Sequence, residues 1–315
     1  MTAGGLAPTP VGRILVIKLG ALGDFIQALG PMQAIRRHHA GAGVALLTTP
    51  AYADFARATG LFDEIEANGR PPWWRIDLWA HLFGWLNGRA FERVYDLQTS
   101  TRSSFMFHLF MPNIRPEWSG IAEGCSHPHA DPGRDRMHTI DRQREQLRLA
   151  GIVDVPAADF AFLTGDVARF SPPARFALLA PGGSVERPAK RWPKDRYADL
   201  ARELKGGGIT PVVIGGSEES VLADAIARAG GGLNLAGQTG LGDVAVLARL
   251  AACAVGNDTG PMHVIAGVGC PSLVLFSSDS DPALCAPRVP KVQILRRERL
   301  DGLTPAEVAA AMPLR

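Results

Sequence analysis

Apolar residues in this chain fall in short blocks, separated by stretches of helical spacing and by glycine-rich turns. Arg13-Ile14-Leu15-Val16-Ile17-Lys18 is a branched, apolar block of the kind that forms a buried strand. Leu19 to Asp24 follows as a tight glycine loop, and a helical pattern runs from about Phe25 to Arg37. Val44 to Thr48 predicts a second strand and Ala51 to Thr59 a helix. Arg93 to Leu97 predicts a further strand, leading to a helix from about Ser100 to Phe110. Strands alternating with helices argue for a parallel sheet covered on both faces. Residues 112–136, rich in Pro, Gly, His and Asp, show no period and read as one long loop. That loop carries Cys125, His127 and His129, and the histidines read as solvated. A helix from Thr139 to Ala150 closes the first half.

The second half repeats this grammar. Phe176 to Ala180 is a strand followed by Pro181-Gly182-Gly183-Ser184. Pro193 is placed to open a helix whose stripe Tyr197, Leu200, Ala201, Leu204 has spacing i, i+3, i+4, i+7. Pro211 to Gly216 is strand and loop, Glu218 to Ala229 and Val244 to Leu250 are helical, and 254–256 and 272–276 are strands. The α/β class follows, with two Rossmann-like halves. Residues 156–173 form the natural linker, and the domains are expected at 1–165 and 166–315.

At 315 residues the chain is comfortable as two cores. The formal charge of +2 gives no electrostatic reason to expect nucleic acid. The cysteines have no C-x-x-C pairing and no histidine at zinc spacing, and Cys253 and Cys270 sit in apolar runs as free buried thiols. The start lacks a basic segment leading into an apolar one, and no apolar run is long enough to span a bilayer. A cytoplasmic protein is expected.

Candidate chemistry lies in three loops, each after a strand, where ligands of open parallel sheets gather. The first, Lys18 to Asp24, is neither a dinucleotide fingerprint nor a P-loop. Asp24 either presents a carboxylate to a ligand or caps the following helix, and the spacing leaves both open. The second joins Gly182-Gly183-Ser184 to Lys190-Arg191-Trp192-Pro193. It reads as a diphosphate cradle of backbone amides, a hydroxyl and a cation, or as a solvated basic patch. The third is Gly256 to His263, where Asp258 and Thr259 either cap a helix or face a ligand. His263 falls one turn beyond Thr259.

Four segments occur in order: Lys18-x4-Gly23-Asp24, Asp96-Leu97-Gln98-x3-Arg102-Ser103, Lys190-Arg191-Trp192-Pro193 and Asp258-Thr259-Gly260-x2-His263. Together they resemble glycosyltransferase family nine, the ADP-heptose:lipopolysaccharide heptosyltransferases, over about residues 13–311. The resemblance implies a GT-B fold, two Rossmann-like domains facing across a cleft, with donor bound by the second and acceptor by the first. It implies Asp24 as general base of an inverting, metal-independent transfer. Lys190, Asp258, Thr259, Gly260 and His263 would serve the donor, with Glu218 more loosely aligned near its ribose; the cradle reading of the second loop adds Gly183 and Ser184. Lys18, Gln98 and Arg102 would lie on the acceptor side. No cofactor is implied; the partners are a nucleotide sugar, ADP-heptose by family, and a lipopolysaccharide-core or other glycolipid acceptor. Two rivals remain: a nucleotide-sugar 2-epimerase and a nucleotide-sugar-binding protein without turnover. A redox enzyme is the poorest fit.

Four of the six tryptophans crowd into residues 73–85. Trp74, Leu78, Leu82 and Trp85 would share a helical face flanked by Arg70, Arg75 and Arg89. That face either packs on the first domain or touches the inner membrane peripherally.

Overall fold

The computed structural model describes residues 12–184 and 186–314; the first eleven, where no secretory leader is expected, lie outside it. The chain divides into two compact units, one ending at Ala158 and the other starting at Asp159, with Ala21–Gln27 grouped in the second.

In the first unit, β1 (Arg13–Ile17), β2 (Gly43–Leu47), β3 (Glu64–Glu66), β4 (Arg93–Asp96), β5 (Glu117–Gly120) and β6 (His127–Pro128) form one sheet. All its pairings are parallel, in the order β3-β2-β1-β4-β5-β6. Helix α1 (Leu22–Gln27) groups with the second unit, whereas α2 (Leu29–His38), α3 (Pro50–Ala58), α4 (Ile76–Asn87), α5 (Thr101–Phe107) and α6 (Thr139–Leu149) belong to the first.

The second unit repeats the plan with β7 (Phe176–Ala180), β8 (Thr210–Val213), β9 (Leu233–Asn234), β10 (Cys253–Asn257), β11 (Ser272–Phe276) and β12 (Val292–Arg296). Its order is β12-β11-β10-β7-β8-β9, again all parallel. Its remaining helices are α7 (Lys194–Gly206), α8 (Ser220–Ala229), α9 (Leu241–Leu250), α10 (Gly260–Gly267), α11 (Pro282–Cys285) and α12 (Pro305–Ala311). Central strands buried on both faces need continuous apolar sequence, which Phe-Ala-Leu-Leu-Ala of β7 supplies. Ala177 and Leu179 join Tyr197, Leu200, Ile226 and Val308 in one core, while Phe176, Leu178 and Ala180 join Val244, Leu247, Met262 and Ile265 in another. Alternate residues of one strand thus feed two helical layers. The stripe Tyr197, Leu200, Ala201, Leu204 is buried as its spacing predicts.

Four expectations change. The pattern predicts one helix from Phe25 to Arg37, but α1 ends at Gln27 and α2 begins at Leu29. Pro31 explains the break, because its ring would clash with the carbonyl of the residue four before it, Gln27. The helix also starts at Leu22, so Asp24 is its third residue and does not cap it from outside. The expected long loop at 112–136 contains β5 and β6. Trp118 of β5 is fully buried, edge-on to Phe107 and Phe110. His129 is 1% exposed rather than solvated, and Cys125 is buried too. Strands this short leave no periodic window to read. Trp74 precedes α4 and stands 78% exposed, whereas Leu82 and Trp85 pack inward, so the predicted shared face does not form. Finally, where the sequence places a boundary at 165/166, the contacts place it at 158/159. Arg249 accounts for this by donating to the carbonyls of Phe160 and Leu163, tying that stretch to the second unit.

Asp96, at the end of β4, is fully buried and accepts the amides of Gln98 (3.0 Å) and Thr99 (2.9 Å) through Oδ1. Burial pushes its carboxyl up to about 6, against the opposing pull of these amides and of Lys18. A raised folded-state pKa keeps the proton on the native chain after the unfolded chain has lost it. Stability therefore falls as pH rises from about 4 to about 6, by on the order of 2–3 kcal/mol. Asp96→Asn retains the acceptor oxygen but not the charge. Its melting temperature should gain on wild type between about pH 4 and pH 7; parallel profiles would refute the assignment.

Candidate functional site

In a sheet of order 3-2-1-4-5-6 the crevice opens where strand order reverses, at the carboxyl ends of the first and fourth strands. These are β1 and β4 in the first unit, β7 and β10 in the second. All three candidate loops follow those strands.

The second unit's site is built on Asn257, the last residue of β10 and fully buried. Its Oδ1 accepts from the Trp192 amide (3.0 Å) and the Tyr197 hydroxyl (3.1 Å). Its Nδ2 donates to the carbonyls of Pro181 (2.8 Å) and Gly182 (3.0 Å). One amide side chain thus ties the loop after β7 to the start of α7. Trp192 anchors the far side, donating its indole N–H to the Leu303 carbonyl at 3.0 Å and stacking edge-on against Tyr197. These bonds fix the short 3₁₀ turn Pro188–Lys190 from which Lys190 projects.

Lys190 Nζ donates to Asp258 Oδ2 at 2.7 Å, with the two side chains only 14% and 9% exposed. Ser280 Oγ donates to the same oxygen at 2.5 Å. Asp258 is therefore a carboxylate held by two donors and does not act as the cap of α10. Thr259 occupies the N-cap position with extended backbone, and its side chain makes no capping bond. Gly260 opens α10, and His263 lies in its first turn, buried.

Helix α1 packs against this start of α10. A Cβ on Gly23 would come within 3.0 Å of the His263 ring, and one on Gly260 within 2.7 Å of Leu22. The two glycines allow the helices to approach closely, which brings the half-buried Asp24 beside the site. Gln27, one turn on, donates to the Cys285 carbonyl (3.3 Å). Burial raises the Cys285 thiol pKa, the Ser280 hydrogen bond lowers it, and the charges of Asp258, Lys190 and Asp24 all act on it.

The predicted cradle differs in detail. Gly183 N–H donates to Glu219 Oε1 (3.0 Å) and Gly216 N–H to Glu219 Oε2 (2.9 Å). Arg191 takes the Gly183 carbonyl. Glu219 thus clamps the loops after β7 and β8, and a Cβ on Gly182 would collide with its carboxylate. Glu218, the residue expected near the ribose, is exposed beside the Ser217 hydroxyl (3.5 Å). Ser184 is exposed. No group of three or more His, Cys, Asp or Glu able to hold a metal occurs among the described residues.

In the first unit, Lys18 is buried and donates to the Leu97 carbonyl (3.1 Å), and Gln98 Oε1 accepts the Leu19 amide (2.9 Å). These bonds lock the two loops at the β1/β4 switch point together. Arg102 donates to the Pro71 carbonyl (2.8 Å) and lies 4.4 Å above the Trp73 ring.

Sequence reasoning missed Glu219, Asn257 and Ser280. The capping-box spacing of Gly216 and Glu219 is a signal that could have found the first. Asn257 has no local signature, being one polar residue at the end of an apolar strand. Ser280 reaches Asp258 only because β11 lies beside β10, where Asp258 N–H also donates to the Leu275 carbonyl.

The sequence matches Glycosyltransferase family 9 (heptosyltransferase) over residues 79–302, more than half of the chain. Lipopolysaccharide heptosyltransferase 2 of Salmonella typhimurium and of Escherichia coli K12 are each 33% identical to it over 120 residues, 36% of this chain. The matched stretch spans about a third (34%) of the length of these curated relatives. Among solved structures, a family 9 glycosyl transferase from Veillonella parvula superposes with a TM-score of 0.80 at 17% identity, covering 97% of both chains. E. coli ADP-heptose lps heptosyltransferase II gives 0.74 at 20% identity, covering 95% of this chain and 96% of its own. E. coli heptosyltransferase WaaC with ADP-2-deoxy-2-fluoro heptose gives 0.72 at 19%, covering 95% and 98%. These likenesses establish two parallel-sheet α/β domains of the GT-B fold. With the family model matched over residues 79–302, across both units, the chain belongs to glycosyltransferase family 9, the heptosyltransferases.

Proposed function

We propose that this chain is an inverting glycosyltransferase that moves a heptose or related sugar from an ADP-sugar to a lipopolysaccharide-core or other glycan acceptor. The observation that carries the donor half is the Lys190–Asp258 pair, 2.7 Å apart at the β7/β10 switch point. An ammonium has three donors, and Asp258 accepts one of them, so the same cation can face departing phosphate oxygens. The start of α10 adds backbone N–H groups and the positive end of a helix dipole.

In this reading Asp24 takes the proton of the acceptor hydroxyl as its oxygen attacks the anomeric carbon. The bond from that carbon to the diphosphate breaks on the opposite face, and the nucleoside diphosphate leaves with the bonding pair. Lys190 meets its growing charge, a task other transferases give to a metal; no cofactor is required. Asp258, Thr259 and Gly260 contact the donor, with His263 supporting the turn. Lys18, Gln98 and Arg102 serve the acceptor side, for which the family resemblance is the support. A lipid-borne acceptor would bring the chain, working in the cytoplasm, to the inner-membrane surface; no helix among the described residues is long and apolar enough to cross a membrane.

Calorimetry with ADP, UDP and GDP tests the donor. Selective ADP binding is expected and supports the heptosyltransferase reading. Preference for UDP or GDP would overturn the ADP-heptose assignment, and binding of none would overturn the donor site itself.

A further inference from the structure

Helix α4 has an apolar face in excess of what its packing uses. Leu82, Trp85 and Leu86 are buried against the first sheet. A second stripe, Ile76, Ala80 and Phe83, at i, i+4 and i+7, faces outward, with Ile76 79% and Phe83 42% exposed. Trp73 and Trp74 just before the helix are 59% and 78% exposed, and Phe105 of α5 adds another half-exposed ring. Scattered exposed apolar residues are ordinary, but a contiguous group marks a contact surface.

Part of this group is held by ring contacts and hydrogen bonds. Trp73 stacks on Trp79 at 5.1 Å and meets Phe105 edge-on at 6.0 Å. Trp79 Nε1 donates to the Pro72 carbonyl (3.1 Å), and Arg102 donates to the Pro71 carbonyl with its guanidinium over the Trp73 ring. Trp73 is therefore braced between Trp79, Phe105 and Arg102 while staying 59% exposed. Its charge is one-sided: Arg70 and Arg102 form no ion pair among the described residues, while the one acid at the start of α4, Asp77, is paired with Arg75.

Exposed tryptophans beside unneutralised arginines suit the interface of an anionic bilayer, where rings sit at headgroup depth and guanidinium groups meet phosphate. We propose that Trp73, Trp74, Ile76, Phe83 and Phe105, with Arg70 and Arg102, form a docking surface for anionic phospholipid. The inference rests on the lipid-borne acceptor for its purpose. Vesicle binding is read without donor or turnover, so either reading can fail alone.

The test is co-sedimentation with vesicles of phosphatidylcholine alone and of phosphatidylcholine with phosphatidylglycerol. Wild type should partition onto the anionic vesicles and be released by salt. Trp73→Ser/Trp74→Ser should lose about tenfold or more of that partitioning, because two large rings no longer leave water. Arg70→Gln should weaken it and flatten its salt dependence. Circular dichroism and ADP binding matching wild type would show that the variants fold. Absence of wild-type binding, or equal binding by the double variant, would overturn the proposal. A concentration-dependent dimer in light scattering, lost in the double variant with no vesicle binding by wild type, would do the same by making the face a self-contact.

Discussion

Asp24→Asn is expected to lower turnover by about 10²–10⁴-fold, the range a positioned general base supplies. Donor affinity should stay close to wild type. Asp24 lies in the first turn of α1, half-buried, while the charges that would meet the diphosphate come from Lys190 and the α10 start. Asparagine fills the same volume and keeps an oxygen, but it cannot accept the acceptor's proton. A loss confined to kcat with ADP binding preserved would mark an interaction made in the transition state. Full turnover by Asp24→Asn would remove the base assignment, and loss of ADP binding would show that the carboxylate shapes the donor pocket instead. Gly23→Ala provides a geometric companion, because its new methyl would press on the His263 ring. It should disturb the α1–α10 contact without touching the carboxylate.

The part of this fold legible in the sequence is the part whose physics is local. Central strands β1, β2, β7 and β11 are buried on both faces, so each appears as an uninterrupted apolar block. Helix α7 shows its inner stripe through spacing alone. The edge strands β3, β6 and β9 have two or three residues and carry no period, so their pairing is decided by the neighbouring strand. The candidate site divides in the same way. Asp24, Lys190, Asp258 and His263 stand in motifs and can be named from the order of residues alone. Glu219, Asn257 and Ser280 act across loops that only the sheet order brings together. Their effect is on geometry: Asn257 holds two loops, Glu219 clamps two glycines, and Ser280 fixes a carboxylate. A motif is a pattern of residue types along the chain, whereas a supporting residue is defined by what it spans. Glu219 illustrates this: one position beyond Glu218, it holds the amides of Gly183 and Gly216.

Lys190→Ala should weaken ADP binding by about 10–100-fold, as expected for loss of a charge-assisted contact to phosphate. It should lower kcat/KM further, by about 10²–10³-fold, because charge on the diphosphate grows as the sugar departs. A second effect accompanies these. Asp258, with its side chain 9% exposed, would lose its cation, and breaking a buried pair costs up to about 3–5 kcal/mol of stability. The two effects separate in a double variant. Lys190→Ala/Asp258→Asn removes both charges, keeps an oxygen for Ser280, and should recover most of the lost stability. If Lys190 meets the diphosphate directly, ADP affinity stays low in the double variant despite the recovered fold. If ADP affinity returns with the fold, Lys190 acts only as the partner of Asp258, and the charge that meets the diphosphate must come from elsewhere. Lys190→Arg probes the same contact with its charge kept. It retains the positive charge with a planar, longer head, so partial ADP binding with poor turnover is expected where a compact ammonium is needed at one phosphate oxygen.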